Sequence, residues 1–138
     1  MFDTVLIAGL GLMGGSMAKT IKARTLSRVL GWNRTRATAE QALADGAIDA
    51  IATDALFREV DLVIIGLYPQ ATVDWLLENM PKMKKGCVIV DMVGVKQFMV
   101  DHLEQAALDA GVHYVGGHPM AGREFSGLDY ALPTLFDG

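Results

Sequence analysis

The chain has 138 residues, of which 51% are hydrophobic and 20% are charged, and its formal net charge is −4 at pH 7. This length and composition suit one globular domain, so residues 1–138 are treated as a single domain. Charges of both signs are interspersed without a basic stripe and the apolar runs are short or broken by glycine, which argues against nucleic-acid and membrane partners and predicts a cytoplasmic protein.

Strands and helices are predicted to alternate along the chain. Strand-like apolar runs are TVLIAG (4–9), VLGWN (29–33), DLVIIGL (61–67), CVIVD (87–91) and VHYVG (112–116). Helical spacing runs from Gly14 to about Arg24, from about Thr38 to Asp45, through ATVDWLLENM (71–80) and from about Gln97 to Ala110. This alternation predicts an α/β fold with a doubly wound, mostly parallel sheet and helices on both faces.

The stretch GLGLMGGS begins directly at the end of the first predicted strand. Its residues Gly9, Gly11 and Gly14 fit the pattern G-x-G-x-x-G. In that pattern the glycines permit a tight turn, close approach of a pyrophosphate and close packing of helix on strand. The following helix N-terminus offers unpaired N–H groups to phosphates. We therefore predict a Rossmann-type dinucleotide site that also includes Leu12 and Met13, with a plain structural turn as the alternative.

The stretch NRTR lies where an NAD site usually has an acid that binds the ribose 2′-hydroxyl. Asn33 is neutral there, and the guanidinium groups of Arg34 and Arg36 can bind a 2′-phosphate. We predict that Asn33, Arg34 and Thr35 contact the cofactor and that NADP is preferred over NAD. The alternative is that the arginines are ordinary solvated charges, since NAD also binds sites in which asparagine replaces the acid.

Three further loops are expected to converge on the site, because ligands of open α/β sheets bind at the carboxyl ends of the strands. The first, LYPQ, contains Leu67, Tyr68 and Pro69, which we predict to contact the cofactor. The other two are DMVGVKQ and GGHPMAGREFSG. A turn acid and a solvated lysine explain Asp91 and Lys96 of DMVGVKQ as well as any role in the site does.

Taken together, GLGLMGGS, DMVGVKQ and above all HPMAGREFSG resemble the N-terminal domain of the prephenate and arogenate dehydrogenases of tyrosine biosynthesis. The resemblance runs over nearly the whole chain. It implies an oxidoreductase that uses NADP or NAD to decarboxylate prephenate oxidatively to 4-hydroxyphenylpyruvate, or arogenate to tyrosine. It also implies that His118 is the catalytic base that accepts a hydrogen bond from the ring hydroxyl of the substrate, a role suited to a neutral imidazole. Glu124 is similar to a family acid near the substrate pocket, and Ser126 is expected to contact the substrate.

The chain departs from the family pattern in two places. Gly94 occupies a substrate-contacting position where the family commonly has a serine that hydrogen-bonds the substrate hydroxyl and the histidine. The family also has a following helical domain, which supplies an arginine for the substrate carboxylate and most of the dimer contact, whereas this sequence stops at LPTLFDG, before the sheet is expected to be complete. We expect nucleotide binding without efficient turnover, and a homodimer or larger assembly that pairs the open sheet edge.

Two other hypotheses remain open. One is an NADP-dependent enzyme of the β-hydroxyacid dehydrogenase type, whose members share GLGLMG and an NRT loop, although this hypothesis does not account for HPMAG. The other is a non-catalytic NAD(P)-binding module. No metal site is predicted, because the single cysteine, Cys87, has no nearby set of ligands.

Overall fold

The computed structural model describes residues 2–92 and 97–115. Within these residues, six strands form one parallel sheet in the order β3-β2-β1-β4-β5-β6. The strands are β1 (Thr4–Ala8), β2 (Arg28–Trp32), β3 (Ala50–Ile51), β4 (Leu62–Ile65), β5 (Val88–Asp91) and β6 (His113–Val115). The strand order reverses between β1 and β4, which is the arrangement of a doubly wound dinucleotide-binding sheet. The predicted fold class is confirmed.

Four helices connect the strands within the described residues. They are α1 (Leu12–Arg24), α2 (Arg36–Ala44), α3 (Pro69–Asn79) and α4 (Gln97–Ala110), and two short 3-10 segments, Leu56–Glu59 and Met80–Lys82, accompany them. The first three helices begin slightly earlier than the sequence predicts. In α3 the reason is physical: Pro69 occupies the first turn, where its missing N–H costs no helical hydrogen bond.

The sheet is buried on both faces, as the continuous apolar strands predict. Val5 and Ile7 of β1 lie in a core cluster that includes residues of α1 and α2. Leu6 and Ala8 lie in a second cluster with residues of α3 and α4. Because successive side chains of a strand point to opposite faces, one apolar run supplies both layers.

Asp61 fastens the amino end of β1. Its Oδ2 accepts hydrogen bonds from the backbone N–H groups of Asp3 at 2.8 Å and Thr4 at 2.9 Å, and its Oδ1 pairs with Lys84. Burial raises the pKa of Asp61, but the hydrogen bonds from Lys84 and the two amides outweigh it, so the pKa lies below its ordinary value. The carboxylate therefore stabilises the fold in its charged form.

Asp49 does the same for β2. Its Oδ2 accepts a hydrogen bond from the Val29 N–H at 2.8 Å, and its Oδ1 accepts one from Lys22 Nζ at 2.5 Å. Burial again raises the pKa of this carboxyl, and the hydrogen bonds from Lys22 and Val29 lower it by more. The amino ends of β1 and β2 are thus each hydrogen-bonded to an aspartate carboxylate, and each carboxylate pairs with a lysine.

Candidate functional site

The glycine-rich turn between β1 and α1 has a geometry that two of its glycines make possible. Gly9 has a φ of +97°, and a Cβ there would lie 3.0 Å from the carbonyl oxygen of Gly66. A Cβ at Gly14 would overlap the carbonyl oxygen of Gly9. The first turn of α1 therefore packs directly on the backbone of the preceding turn.

Gly11 differs from these two glycines because its surroundings are open. It is the N-cap residue of α1, and a Cβ placed on it would meet nothing within 4 Å. The first amides of a helix have no intrahelical partner, and the helix dipole favours an anion beside them. Leu12 and Met13 are the first two residues of α1. The turn therefore leaves space for an anionic group at Gly11.

Two hydrogen bonds connect this turn to the end of β2. The N–H of Gly9 donates to the carbonyl oxygen of Trp32 at 2.8 Å, and the N–H of Leu10 donates to Asn33 Oδ1 at 2.8 Å. Asn33 Nδ2 in turn donates to the carbonyl oxygen of Thr35 at 3.0 Å. The structure thus brings together the two stretches, GLGLMGGS and NRTR, that the sequence predicts to share a site.

A cleft opens at the carboxyl ends of β1, β2 and β4. One cavity, of about 340 Å³, is lined by Gly9, Gly11, Asn33, Arg34, Gly66, Leu67, Tyr68, Pro69 and Ala71. A second, of about 290 Å³, is lined by Trp32, Arg34, Leu67, Ala71, Asp74, Trp75 and Glu78. The two cavities share Arg34, Leu67 and Ala71, so they are neighbouring parts of this cleft. Most of the predicted cofactor-binding residues line it.

The two arginines of NRTR differ in their partners. Arg36 Nε lies 3.4 Å from Glu40 Oε1, one turn along α2. Arg34 lines both cavities, and among the described residues no carboxylate is within ion-pair distance of it. The guanidinium of Arg34 is therefore the one available to a ligand in the cleft.

Aromatic side chains form the inner wall of the second cavity. Trp32 and Trp75 meet edge to face with ring centroids 5.8 Å apart, and Phe57 packs against Trp75 in the same manner at 5.7 Å. Trp75 is buried, and its Nε1 has no hydrogen-bond partner among the described residues. Packing rather than hydrogen bonding therefore holds this indole in place.

At the carboxyl end of β5, Asp91 is buried and accepts a hydrogen bond from Tyr114 Oη at 3.0 Å. Burial and the neighbouring negative charge of Asp91 raise the pKa of the Tyr114 hydroxyl. The sequence left a turn acid and a site residue equally open for Asp91, and it gave no sign of Tyr114. The observed contact ties the ends of β5 and β6 together.

Several predicted site residues lie outside the described residues. They are the catalytic candidates His118 and Glu124 and the substrate-binding candidates Gly94 and Ser126. Their assignments stay predictions.

The sequence reasoning missed six cleft residues: Trp32, Gly66, Ala71, Asp74, Trp75 and Glu78. Gly66 carried a usable signal, because a glycine directly after a buried strand often marks close approach of another group. A Cβ on Gly66 would in fact lie 2.9 Å from Met92 Cε. The other five residues carried no such signal.

Two negative findings hold for residues 2–92 and 97–115. No helix there is long and apolar enough to cross a membrane, and no group of three histidine, cysteine or acidic side chains could hold a metal ion. Cys87 is buried next to β5, and burial raises the pKa of its thiol to about 12. This thiol is therefore protonated and packs as an apolar group.

Comparison with known sequences identifies relatives over nearly the full chain. The chain is 37% identical to the prephenate dehydrogenase of Bacillus subtilis (strain 168), in an alignment that covers 99% of this chain and 38% of that protein. It therefore spans well under half the length of this relative.

Comparison with solved structures also identifies dehydrogenases, and the chain matches part of their length. The prephenate dehydrogenase of Aquifex aeolicus, solved with hydroxyphenyl propionate and NAD+, matches with a TM-score of 0.75 and 26% identity over 88% of this chain and 43% of that one. A 3-hydroxyisobutyrate dehydrogenase of Mycobacterium tuberculosis matches with a TM-score of 0.73 at 19% identity, over 95% of this chain and 44% of that one. The second likeness shows the fold alone, so backbone similarity does not separate the two enzyme classes considered above.

The family described as "Prephenate dehydrogenase, nucleotide-binding domain" matches residues 17–138. The matched range begins within α1, after the glycine-rich turn. The cleft at the switch point of the sheet fits a nucleotide-binding domain, and the sequence matches show the family: the chain belongs to the prephenate dehydrogenase family and corresponds to its nucleotide-binding domain.

Proposed function

We propose that this chain is the nucleotide-binding part of an NAD(P)-dependent prephenate or arogenate dehydrogenase. The observation that carries the proposal is the turn at Gly9, Gly11 and Gly14. Gly9 lets the turn approach the backbone of Gly66, Gly14 lets the helix pack on the turn, and Gly11 leaves open space at the helix N-terminus. A dinucleotide pyrophosphate fits this combination, because it needs both a close backbone approach and unpaired amides.

NADP is proposed as the preferred cofactor, with NAD as the alternative. Arg34 supports this preference, because it lines the cleft without an ion-pair partner among the described residues. A guanidinium binds a phosphate through two charge-assisted hydrogen bonds. Leu67, Tyr68 and Pro69 would contact the cofactor from the opposite wall, and the side chain of Tyr68 is 87% exposed there.

The proposed reaction is oxidative decarboxylation, for which the bound dinucleotide supplies the hydride acceptor. His118 is proposed as the base that takes the proton of the substrate ring hydroxyl as the carbon is oxidised. Loss of carbon dioxide then produces an aromatic ring, which makes the reaction favourable. Glu124 and Ser126 are proposed to lie near the substrate. At position 94 a glycine replaces the helper serine of the family, which removes one positioned donor.

The proposal extends to the substrate class, the cellular location, the assembly and the domain organisation. A small-molecule substrate, a cytoplasmic location and a homodimer or larger assembly accord with the family, and residues 1–138 are proposed to form one domain.

Two measurements test the proposal. The first is calorimetric titration of the chain with NADP and NAD, in which we expect binding of both and tighter binding of NADP. If neither dinucleotide bound, the proposal would be wrong.

The second follows NAD(P)H formation from prephenate and arogenate. Any turnover should fall by about 10² to 10⁴-fold in His118→Asn, the usual contribution of a general base. A matched control is His102→Asn, since His102 is exposed on α4. Turnover that survives His118→Asn would contradict the assigned role, whereas binding without turnover would favour a binding module or a domain that requires further chain.

A further inference from the structure

Asn33 follows β2, where sequence reasoning expects a contact to the ribose. In the structure each polar atom of its carboxamide is already bonded within the chain. Oδ1 accepts a hydrogen bond from the Leu10 N–H at 2.8 Å, and Nδ2 donates to the Thr35 carbonyl oxygen at 3.0 Å. The side chain therefore spans the space between the β1–α1 turn and the β2–α2 loop.

The bond to Leu10 is one of two adjacent hydrogen bonds between the glycine-rich turn and the end of β2. The preceding amide, that of Gly9, donates to the carbonyl oxygen of Trp32, the residue before Asn33. Two successive amides of the glycine-rich turn are thus held by two successive residues of the β2 end. The next residue, Gly11, is the one with open space around it. The Asn33 bond therefore fixes the turn immediately before the proposed pyrophosphate position.

The bond to Thr35 requires an amide. Thr35 is the N-cap residue of α2 and the neighbour of Arg34. Aspartate has two acceptor oxygens and no donor when ionised, so its second oxygen would face the Thr35 carbonyl oxygen. An acid at this position would keep the link to Leu10 and lose the link to Thr35.

We propose that Asn33 is a positioning residue that braces the glycine-rich turn against the β2–α2 loop. On this proposal, which rests on the proposed dinucleotide site, Asn33 sets the coenzyme preference by holding Arg34 in place and not by contacting the ribose. The residue that an NAD site uses as a ligand is here used to shape the site.

The test compares Asn33→Ala, Asn33→Asp and a matched control. Asn79→Ala is the control, because Asn79 Nδ2 also donates to a backbone carbonyl, that of Trp75, at 2.8 Å. Affinities for NAD and NADP are measured by calorimetry, and hydrogen–deuterium exchange is measured at the Leu10 amide, which reports on the brace without any ligand.

We expect Asn33→Ala to weaken NAD by about tenfold, the value of one net hydrogen bond in the shared pyrophosphate turn, and to weaken NADP by about a hundredfold, because the Thr35 link beside Arg34 is lost as well; exchange at Leu10 should accelerate. Asn33→Asp should keep Leu10 protected, weaken NADP by about tenfold and leave NAD no tighter than in the parent. Asn79→Ala should change neither affinity nor exchange at Leu10.

Either of two results would overturn the proposal that Asn33 is a positioning residue. Tighter NAD binding by Asn33→Asp would make position 33 an ordinary ribose contact, and unchanged Leu10 exchange in Asn33→Ala would show that the turn does not depend on the side chain. If the parent bound neither dinucleotide, the proposed function would fail, while exchange at Leu10 would still decide whether the brace exists.

Discussion

The amino and carboxyl ends of the parallel sheet are fastened by different chemistry. At the amino end, Asp61 and Asp49 accept backbone N–H groups of β1 and β2, and each carboxylate pairs with a lysine. At the carboxyl end, the same two strands are joined by backbone hydrogen bonds and the neutral Asn33. Of the two cavities of the cleft, the one that Gly11 lines has no carboxylate among its described lining residues, whereas Asp74 and Glu78 line the other. Ionised side chains thus hold the amino end, and the part of the carboxyl end proposed to bind an anion is lined by neutral side chains and Arg34.

The largest effect is expected from Gly14→Ala at the carboxyl end. The added methyl group would overlap the carbonyl oxygen of Gly9, so α1 must move away from the turn. We expect the free energy of unfolding to fall by about 3 kcal/mol and dinucleotide binding to be lost. Urea denaturation and calorimetry measure the two quantities.

Gly11→Ala is the matched control for this change. Its methyl group meets nothing within 4 Å, so stability should stay within about 1 kcal/mol of the parent, while the methyl group weakens binding by occupying the approach of the pyrophosphate. Equal stability of the two variants would contradict the distinction drawn between these glycines.

The next effect is expected from Asp61→Asn at the amino end. The change removes the negative charge that two amides and Lys84 share, so the free energy of unfolding should fall by about 2 kcal/mol. Binding of NADP should stay within about twofold of the parent, since a twofold change is well under 1 kcal/mol. Asp54→Asn is the control, because Asp54 is 79% exposed and its pair with Lys82 is worth less than about 1 kcal/mol. A large loss of NADP binding in Asp61→Asn would contradict the claim that the amino end of the sheet affects stability and not binding.

A smaller effect, confined to the cleft, is expected from Arg34→Ala. Loss of the guanidinium should weaken NADP by about tenfold, leave NAD nearly unchanged and leave stability unchanged, because Arg34 has no ion-pair partner among the described residues. Arg36→Ala is the matched control, since Arg36 is occupied by Glu40. A stronger effect of Arg36→Ala on NADP affinity would reverse the assignment of the two arginines.

The smallest effect is a change in the acid dependence of stability. Asp49 and Asp61 have folded-state pKa values below their ordinary value of 3.8. Each therefore contributes stability that is fully present above the unfolded pKa and is lost as the pH falls through the lower folded pKa. In Asp49→Asn/Asp61→Asn, the free energy of unfolding should fall less steeply between about pH 5 and pH 3 than in the parent. Equally steep curves would assign the acid sensitivity to other carboxylates.

The sequence predicted the parts of the fold whose signal is local. β1, β4 and β5 are continuous apolar runs, and each helix has a recognisable spacing, so both were predicted within a few residues. β3 was missed because it consists only of Ala50–Ile51, which pair with Leu30 and Gly31. A strand of this length has no periodicity, and only its neighbour in the sheet defines it.

The candidate site was predictable in its location and less so in the role of each side chain. The glycine pattern and the NRTR loop indicated the end of the sheet at which the cleft opens. The hydrogen bond from Leu10 to Asn33 joins residues 23 positions apart, and no local sequence pattern predicts it. The contact between Tyr114 and Asp91 is likewise a product of strand order, because residues of β5 and β6 become neighbours only in the sheet.

The chain has two tryptophans, Trp32 and Trp75, and their indole rings are in contact. The intrinsic tryptophan fluorescence of the protein therefore comes from the cleft. Both rings line the second cavity, and Trp32 also provides the carbonyl oxygen that holds Gly9. A ligand that enters the cleft changes the surroundings of both rings, so intrinsic fluorescence follows occupancy without an added label. A reduced nicotinamide bound nearby would also accept excitation energy from them. Binding and reduction of the cofactor could then be followed as separate signals in one cuvette.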